Sequence, residues 1–279
     1  MPRPAEEPHA PASAPAREPL PALEVTFLGS GSSGNATIIA AGRDAAIVDC
    51  GFSAKETLRR AEDAGVDVTC VRAVLVTHEH TDHVSGVRVL AKRLGVPVYA
   101  TAGTRRAAAL DRHVAEVRTL VPGEPFTVGA LEVIAFRTSH DAAEPVGYRL
   151  SSARGPAVGL ATDTGEMTAE AFEALAGCEL LALEFNHDEY MLANGPYPWF
   201  LKQRIASARG HLSNAAAVRA LERLGSDRLR AVFGMHVSRT NNTHEMVAAE
   251  LSTALARLDL AVDSAPVRQD ASTTRFRVG

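Results

Sequence analysis

Short apolar runs alternate with amphipathic stretches along most of the chain. The runs have the length and the valine-, leucine- and isoleucine-rich composition of buried strands. They predict strands at residues 24–28, 36–40, 45–49, 71–77, 131–136, 146–150, 157–161, 180–185 and 231–235. The stretches between them predict helices at residues 53–64, 84–94, 168–176, 213–224 and 243–258. Strands interleaved with helices indicate an α/β fold.

Capping residues mark two of these helix starts. Ser53 lies three residues before Glu56, which is the spacing of a capping box, where each side chain bonds the other residue's free backbone amide. Ser213 is predicted to cap the helix that follows it, because a serine hydroxyl can accept from a free amide of the first turn.

The first 22 residues lack this pattern. Seven of the fifteen prolines lie there, mixed with alanine, and such a segment buries too little apolar surface to offset the entropy of ordering. The sequence therefore predicts a disordered tail at residues 1–22. No comparable linker follows, so we expect a single domain at residues 23–279.

Composition narrows the class of protein. The 279 residues are 46% hydrophobic and 22% charged, as in ordinary globular proteins, and no apolar run is long enough to span a membrane. No secretory signal pattern is visible, and the three cysteines lack C-x-x-C spacing, so we expect a cytoplasmic protein with free thiols. The net charge of −4 argues against a protein that coats nucleic acid through bulk positive charge.

Four polar side chains follow the predicted strand at residues 71–77: His78, His80, Asp82 and His83. Imidazole and carboxylate groups are ligands of Zn²⁺, Mn²⁺ and Fe²⁺. Any one histidine here would fit a polar loop, but several converging imidazoles would be costly to bury without a metal. The H-x-H-x-D-H spacing therefore predicts a metal site.

Other predicted strands also end in residues of the ligand type. His140, Asp163 and His236 each come just after an apolar run. Because a sheet presents site residues at its strand ends, we expect all three to lie beside the H-x-H-x-D-H segment.

These residues carry a resemblance to a known family. The H-x-H-x-D-H segment, residues 139–140, residues 162–165 and His236 resemble the ordered metal motifs of the metallo-β-lactamase-fold hydrolases. Further segments resemble the YycJ/WalJ branch of that family: residues 27–35, 48–56, 184–188, 195–198, 210–214 and 241–242. The match covers nearly everything after the tail.

The resemblance implies an αββα sandwich, in which two mixed β-sheets pack face to face with helices outside, and two divalent metal ions at one edge. One ion would be held by His78, His80 and His140, the other by Asp82, His83 and His236, and Asp163 would bridge them. Asp49 would support the histidine-rich loop through hydrogen bonds, with an ordinary turn aspartate as the equal alternative.

Two ions in such a site can share a hydroxide nucleophile and stabilise the attacking and leaving oxygens of a phosphoryl transfer. Asp82 is expected to serve catalysis as well as metal binding. The resemblance also allows β-lactam, thioester or lactone hydrolysis, because the same site performs these reactions within the family. The metal motif alone therefore does not choose the substrate.

Three motifs favour a phosphodiester. Glu184, Gly210-His211 and His236-x-Ser238 resemble elements of the RNase Z-like phosphodiesterases. That resemblance implies that His211 is a general acid, with Glu184 as its partner carboxylate. A purely structural role at the helix start is the alternative for His211.

Basic residues favour a nucleic-acid substrate. Residues 202–230 contain seven lysines and arginines and only two acidic residues, so Arg204 and Arg209 are predicted to contact phosphates. A solvated helix face with ordinary salt bridges is the alternative. Asn186 and His187 are predicted to line the pocket, or else to lie in a polar loop.

Two further segments have open alternatives. Residues 29–35, rich in glycine and serine, could offer backbone amides to a phosphate, but a tight turn also explains them. Tyr197, Trp199 and Phe200 could stack on bases or pack within a loop.

We expect nucleic acid as the partner, with DNA favoured over RNA, because the YycJ/WalJ resemblance implies exonuclease action on DNA, with 5′-to-3′ polarity as one option. The segment between Asp163 and His236 is too short for the large inserted domain of RNase J-like enzymes. The compact domain, alone or as a homodimer, must then hold the substrate. The alternatives are a thioesterase or lactonase on the same fold and a non-catalytic nucleic-acid-binding module stabilised by metal.

Overall fold

The structure is a computed structural model that describes residues 22–153, 155–273 and 275–279. Apart from Ala22, the predicted disordered tail lies outside the described residues. Fourteen strands, nine α-helices and two short 3-10 helices form in the described part of the chain. Each of the nine predicted strands is present there, with bounds shifted by at most two residues.

The strands are β1 (Leu23–Gly29), β2 (Ala36–Ala41), β3 (Asp44–Val48), β4 (Val71–Leu75), β5 (Val98–Ala100), β6 (Val117–Thr119), β7 (Phe126–Val128), β8 (Leu131–Arg137), β9 (Val146–Ser152), β10 (Ala157–Ala161), β11 (Leu180–Glu184), β12 (Ala231–Met235), β13 (Asp263–Pro266) and β14 (Phe276–Val278). The α-helices are α1 (Ala54–Asp63), α2 (Thr81–Val84), α3 (Val87–Leu94), α4 (Ala102–Ala107), α5 (Ala169–Leu175), α6 (Glu189–Asn194), α7 (Trp199–Ile205), α8 (Asn214–Leu224) and α9 (His244–Arg257). The 3-10 helices lie at Val68–Cys70 and Leu110–Arg112.

The strands form two seven-stranded mixed sheets with matching topology. The first has the order β14-β1-β2-β3-β4-β5-β6, and the second has the order β13-β12-β11-β10-β9-β8-β7. From β3 to β6 the first sheet is parallel and the rest is antiparallel. The second sheet is parallel from β10 to β13 and antiparallel from β7 to β10. Neighbouring parallel strands therefore end at the same edge.

Three apolar layers hold the sheets and helices together. Between the sheets, Phe27 of β1 packs against Phe233 of β12 with ring centroids 4.9 Å apart. The outer face of the first sheet packs on α1 and α3 through residues such as Ile47 and Leu90. The outer face of the second sheet packs on α5, α8 and α9, where Leu221 contributes. This order of layers confirms the predicted αββα sandwich.

The central strands are apolar on both faces because both faces are covered. In β11, Leu180 and Ala182 belong to the layer between the sheets, whereas Leu181 and Leu183 belong to the outer layer under the helices. All four side chains are buried. Coverage on both faces explains why these strands appear in the sequence as continuous apolar runs rather than alternating ones.

The helix predicted at residues 84–94 is present as α3 but begins three residues later than expected, because α2 ends at Val84 and α3 begins at Val87. Gly86 lies between them, and its N–H donates to the carbonyl of Cys50 at 2.8 Å. A Cβ at Gly86 would lie 2.2 Å from the carbonyl oxygen of Phe52. The close approach of this loop breaks the helix in two.

The predicted helix caps are only partly as expected. Ser53 Oγ accepts the N–H of Glu56 at 3.2 Å, but the Glu56 carboxylate accepts from Arg59 and Arg60 instead of completing the capping box. Ser213 caps α8 as predicted. None of the helices in the described part of the chain combines the length and the apolar character needed to cross a bilayer.

Candidate metal centre

Side chains of the ligand type meet at the edge of the sandwich where β3, β4, β8, β10, β11 and β12 end. In layered α/β folds, binding sites form beyond the carboxyl ends of the strands. The structure brings together all seven residues that were predicted as metal ligands. We call this set the ligand cluster: His78, His80, Asp82, His83, His140, Asp163 and His236.

Three residues of the centre have a left-handed backbone conformation. Their φ angles are 59° at Asp49, 54° at Asp163 and 51° at His236. Residues other than glycine rarely adopt this conformation, which costs on the order of 1 kcal/mol or more. Each one lies just after β3, β10 or β12, so backbone strain concentrates where the chain turns away from these strands.

His78, His80 and His140 form the first candidate ligand set. His80 Nδ1 is 3.1 Å from His78 Nε2 and 3.2 Å from His140 Nε2. Two nitrogens bound tetrahedrally to one Zn²⁺ at the usual bond length would lie roughly 3.3 Å apart. The spacing of the three rings therefore fits a single divalent ion.

Asp82, His83 and His236 form the second candidate set. Asp82 Oδ2 is 3.2 Å from His236 Nε2 and 3.7 Å from His83 Nε2. Asp163 lies between the two sets, with Oδ2 at 3.2 Å from His83 Nε2 and Oδ1 at 3.5 Å from His236 Nε2. Its carboxylate also lies within metal-sharing distance of His78.

The electrostatics of the cluster favour a cation. Burial alone would lower the pKa of His236, but Asp163, together with hydrogen bonds to Asp82 and Glu184, raises it to about 10. Burial would favour the neutral form of Asp163, yet His236 and His83 hold the pKa of its carboxyl well below its ordinary value. Ionised carboxylates buried at this density need positive charge nearby, which divalent ions supply.

Asp49 makes the contacts of the predicted support role. Its Oδ2 accepts from His83 Nδ1 at 2.7 Å and from Thr77 Oγ1 at 2.8 Å, and its Oδ1 accepts from the Thr77 N–H at 2.8 Å. Because His83 Nδ1 donates to Asp49, the lone pair of His83 Nε2 is left for a metal.

Residues 29–35 support the ligands through side chains that the sequence did not single out. Ser30 Oγ accepts the N–H of His236 at 2.9 Å and donates to Asn35 Oδ1 at 2.8 Å. Asn35 donates to the Asp82 carbonyl through its backbone N–H at 2.8 Å, and its Nδ2 lies 3.0 Å from His83 Nε2. The position of Ser30 and Asn35 beside the first strand end was the only signal for this role.

Gly51 allows two loops of the centre to approach each other closely. A Cβ at this position would lie 1.6 Å from the carbonyl oxygen of Asp82. The Gly51 N–H donates to the Asn35 carbonyl at 2.9 Å, and the neighbouring Cys50 N–H donates to the His83 carbonyl at 2.8 Å. These bonds fix the histidine-rich loop against the end of β3.

Asn186 and His187 are both buried, and their role in lining the substrate pocket stays a prediction. Asn186 Nδ2 donates to the His236 carbonyl at 3.0 Å and lies 3.2 Å from His236 Nδ1. The carbonyl of His187 accepts from the Asn214 N–H at 2.8 Å, and residue 187 pairs with Ser213. The pairing with the start of α8 turns this segment inward.

His211 forms a close pair with Glu184. His211 Nδ1 is 2.7 Å from Glu184 Oε1, while Glu184 Oε2 accepts from the N–H of Thr164 at 2.7 Å and of Leu212 at 3.3 Å. His211 Nδ1 also lies 3.7 Å from Asp163 Oδ1. Burial alone would lower the pKa of His211, but Glu184 opposes it and the pKa is raised.

Both predicted phosphate-binding arginines border the cluster. Arg209 Nε and Nη2 donate to the His140 carbonyl at 3.3 and 3.2 Å. Arg204 Nε donates to Asp141 Oδ2 at 2.5 Å, and Asp141 Oδ1 lies 3.3 Å from His140 Nε2. Asp141 is a member of the centre that the sequence analysis missed, although it directly follows His140.

The basic residues of segment 202–230 do not form one surface, so the predicted single patch is wrong. Arg228 pairs with Glu179 at 3.3 Å, and Arg230 directly precedes β12. Both therefore lie at the amino ends of β11 and β12, opposite the ligand cluster. Arg204 and Arg209 are the arginines of this segment that contact the centre.

Comparisons with known proteins agree with this arrangement. A family model described as "Beta-lactamase superfamily domain" matches residues 46–237. The protein named Exodeoxyribonuclease YycJ from Bacillus anthracis is 34% identical over 248 residues, covering 87% of this chain and 93% of that protein. Exodeoxyribonuclease WalJ from Streptococcus pneumoniae is 33% identical over 245 residues, covering 86% of this chain and 91% of its own length.

A solved structure shares the fold. The crystal structure of the metallo-beta-lactamase fold protein YhfI from Bacillus subtilis superposes with a TM-score of 0.69 at 19% identity, over 92% of this chain and 100% of that chain. Together with the His and Asp sets, the family match indicates divalent metal binding at the ligand cluster. The chain therefore belongs to the beta-lactamase superfamily domain family, with a metallo-β-lactamase fold and relatives in the YycJ/WalJ branch.

Proposed function

We propose that the chain is a metal-dependent hydrolase that cleaves phosphodiester bonds in nucleic acid, with DNA as the favoured substrate. The observation that carries this proposal is the His211–Glu184 pair directly beside the ligand cluster. The relatives YycJ and WalJ support the same reaction class, because they bear the name exodeoxyribonuclease and align with most of the chain.

The cluster offers donors for two ions. One ion would be held by His78, His80 and His140, and the other by Asp82, His83 and His236. Asp163 is our candidate for the shared ligand, because its carboxylate lies beside His83 and His236 of the second set and within 4.8 Å of His78 of the first set. Zn²⁺, Mn²⁺ and Fe²⁺ all suit imidazole and carboxylate donors. When bound, such ions supply a hydroxide nucleophile at neutral pH and stabilise the charge of the phosphate during displacement.

His211 is our candidate for the acid that protonates the leaving oxygen. Breaking a phosphodiester expels an alkoxide, and a positioned acid accelerates that step by about 10²–10⁴-fold. Because His211 Nδ1 donates to Glu184, Nε2 is the atom that would carry the transferable proton. Glu184 acts through His211, since it is fully buried and its oxygens are already bonded.

Arg204 and Arg209 are our candidates for the phosphate contacts of the bound strand. Both side chains are exposed and both contact the residues that surround His140. A guanidinium at such a position can bind phosphate oxygens in a bidentate manner. Catalysis by Asp82, beyond metal binding, remains a prediction.

The experiment that tests this function is incubation of the metal-loaded protein with end-labelled DNA, end-labelled RNA, a thioester and a lactone. We expect shortened DNA products and slower turnover of the small esters. Ester hydrolysis with intact nucleic acid would establish the thioesterase or lactonase alternative instead. Nucleic-acid binding without any hydrolysis would indicate a non-catalytic module.

A further inference from the structure

Helix α7 presents aromatic side chains to solvent. None of its residues is buried, and Trp199 and Phe200 are each 72% exposed. We call these two residues the aromatic surface. Among the other exposed large hydrophobic residues in the described part of the chain, Tyr190 on the neighbouring α6 is 75% exposed, whereas Val89 and Val121 reach only 50% and 47%. The loop-packing alternative for Trp199 and Phe200 is therefore wrong, and exposed aromatics of this size mark binding sites.

The aromatic surface is joined to the ligand cluster. Phe200 and Arg204 are four residues apart on α7, so they lie on one face, about 6 Å apart at Cβ. Arg204 Nε donates a hydrogen bond to Asp141 Oδ2 at 2.5 Å. The other oxygen of that carboxylate, Asp141 Oδ1, lies 3.3 Å from His140 Nε2. The loop after α7 also supplies the Gly210 carbonyl, 2.9 Å from His140 Nδ1. A strand whose phosphate occupies the centre would therefore pass next to α7.

The charge of α7 indicates which kind of partner would bind the aromatic surface. The sequence of α7 contains Lys202 and Arg204 and no acidic residue. In a two-fold contact between copies of the chain, this basic helix would face its own counterpart, which is unfavourable. A nucleic-acid strand satisfies both features, because its phosphates are negative and its bases have π faces.

We propose that Trp199 and Phe200 stack on unpaired bases of a single-stranded nucleic acid whose phosphodiester lies in the ligand cluster. This inference rests on the proposed function and deepens it. The surface selects for bases rather than for phosphates alone, and it favours a strand end or a single strand, because bases within a duplex have their faces covered.

The fluorescence of Trp199 tests this directly, because it is the only tryptophan in the chain. The full-length protein is titrated with a single-stranded oligonucleotide of phosphorothioate linkages, which resists cleavage, and with an abasic strand of the same length and charge. We expect quenching by the base-containing strand and little change with the abasic strand. Equal responses to both strands would overturn the proposal.

Substitution gives an independent measure. Leucine keeps apolar bulk and helix propensity but removes the π face, so Trp199→Leu and Phe200→Leu should each raise KM for a single-stranded oligonucleotide about tenfold. The matched control is Val89→Ala, an exposed apolar position on α3, which should leave KM unchanged. Unchanged KM in both leucine variants would overturn the proposal.

Two further outcomes would overturn the stacking proposal while leaving the proposed function intact. A protein that cleaves nucleic acid without any change in Trp199 fluorescence would retain the function and overturn the stacking role. A dimer that dissociates in the Trp199→Ala, Phe200→Ala double variant would assign the surface to contact between copies, and this too would overturn the proposal.

Discussion

The ligand cluster and helix α7 (Trp199–Ile205) lie side by side but differ in how they are held. In the cluster, the second ring nitrogen of a ligand is bonded to a fixed acceptor, as His83 is to Asp49 and His140 is to the Gly210 carbonyl. Helix α7 has no buried residue, and its hydrogen bonds to the rest of the chain include those of Arg204 and Lys202.

The difference separates chemistry from recognition. Ions need donors fixed to within a few tenths of an ångström, which burial and hydrogen bonds provide. A flexible polymer strand is better held by exposed aromatic and basic side chains. A change in the cluster should therefore affect every substrate, whereas a change in α7 should affect nucleic acid most.

The largest effect is expected from Asp163→Ala. Because Asp163 lies beside His83 and His236 of the second set and near His78 of the first, its loss should lower metal content and reduce hydrolysis of all substrates by about 10³-fold or more. Elemental analysis and turnover of DNA and bis-p-nitrophenyl phosphate measure this. The control is Asp259→Ala, another aspartate with left-handed φ, 54°, away from the centre. Full metal content in the Asp163 variant would show that the residue is not a ligand.

The second prediction concerns His211→Ala. A natural linkage has a poor leaving group, so its cleavage should slow by about 10²–10⁴-fold, while a p-nitrophenyl ester should lose much less. Metal content should stay normal, with His113→Ala, an exposed histidine, as the control. Equal losses on both substrates would contradict the general-acid assignment, and loss of metal would make His211 a ligand.

The third prediction tests how the cluster is held. Asp49→Asn preserves the shape of the side chain but puts an amide nitrogen, which cannot accept a hydrogen bond, in place of the oxygen that accepts from His83 Nδ1. Metal affinity should therefore fall by about 10–100-fold. Competition with a chromogenic chelator measures the affinity. Asp63→Asn, a surface position paired with Arg59, serves as the control. Unchanged affinity would show that His83 is oriented by other contacts.

The smallest effect is expected from Arg204→Gln combined with Arg209→Gln. Removal of two phosphate contacts should reduce the salt slope of single-strand binding by about 1.4, because fewer counterions are released. Oligonucleotide hydrolysis should fall more than hydrolysis of a small phosphodiester. The control pair is Arg228→Gln and Arg230→Gln, at the opposite end of the strands. Equal losses on large and small substrates would mean that the arginines support the fold.

The central strands and the ligand cluster could be predicted from the sequence because each depends on a local pattern. Strands covered on both faces leave continuous apolar runs, as in β10 and β11. Ligands at strand ends leave polar residues directly after those runs. The three-residue strands β5 and β14 were missed, because three residues are too few to show a period.

The rest of the centre depends on contacts distant in the sequence. Nothing near Asn35 indicates that its amide reaches Asp82 and His83, which lie 47 and 48 residues away. The sequence indicates a pocket role for Asn186 only through its closeness to Glu184, and it gives no sign that the Asn186 side chain donates to the His236 carbonyl, 50 residues away. Burial of a polar side chain after a strand is decided by which segment packs on it.

The arginine-rich segment, residues 202–230, shows that the distribution of charge also depends on the fold rather than on closeness in sequence. Counting residues predicts a basic patch, but helix α8 separates Arg204 from Arg230 in the chain, and Arg230 lies at the amino end of β12, opposite the ligand cluster. The useful signal was the short stretch next to Gly210 and His211, where Arg209 contacts the His140 carbonyl.

Metal titration tests the central claim most directly. The metal-free protein is titrated with Zn²⁺ or Mn²⁺ while cleavage of end-labelled DNA and the bound metal are measured together. The ligand sets predict no cleavage without metal and a rise that reaches its plateau at about two ions per chain. Full cleavage by the metal-free protein, or a plateau at one ion, would contradict the account.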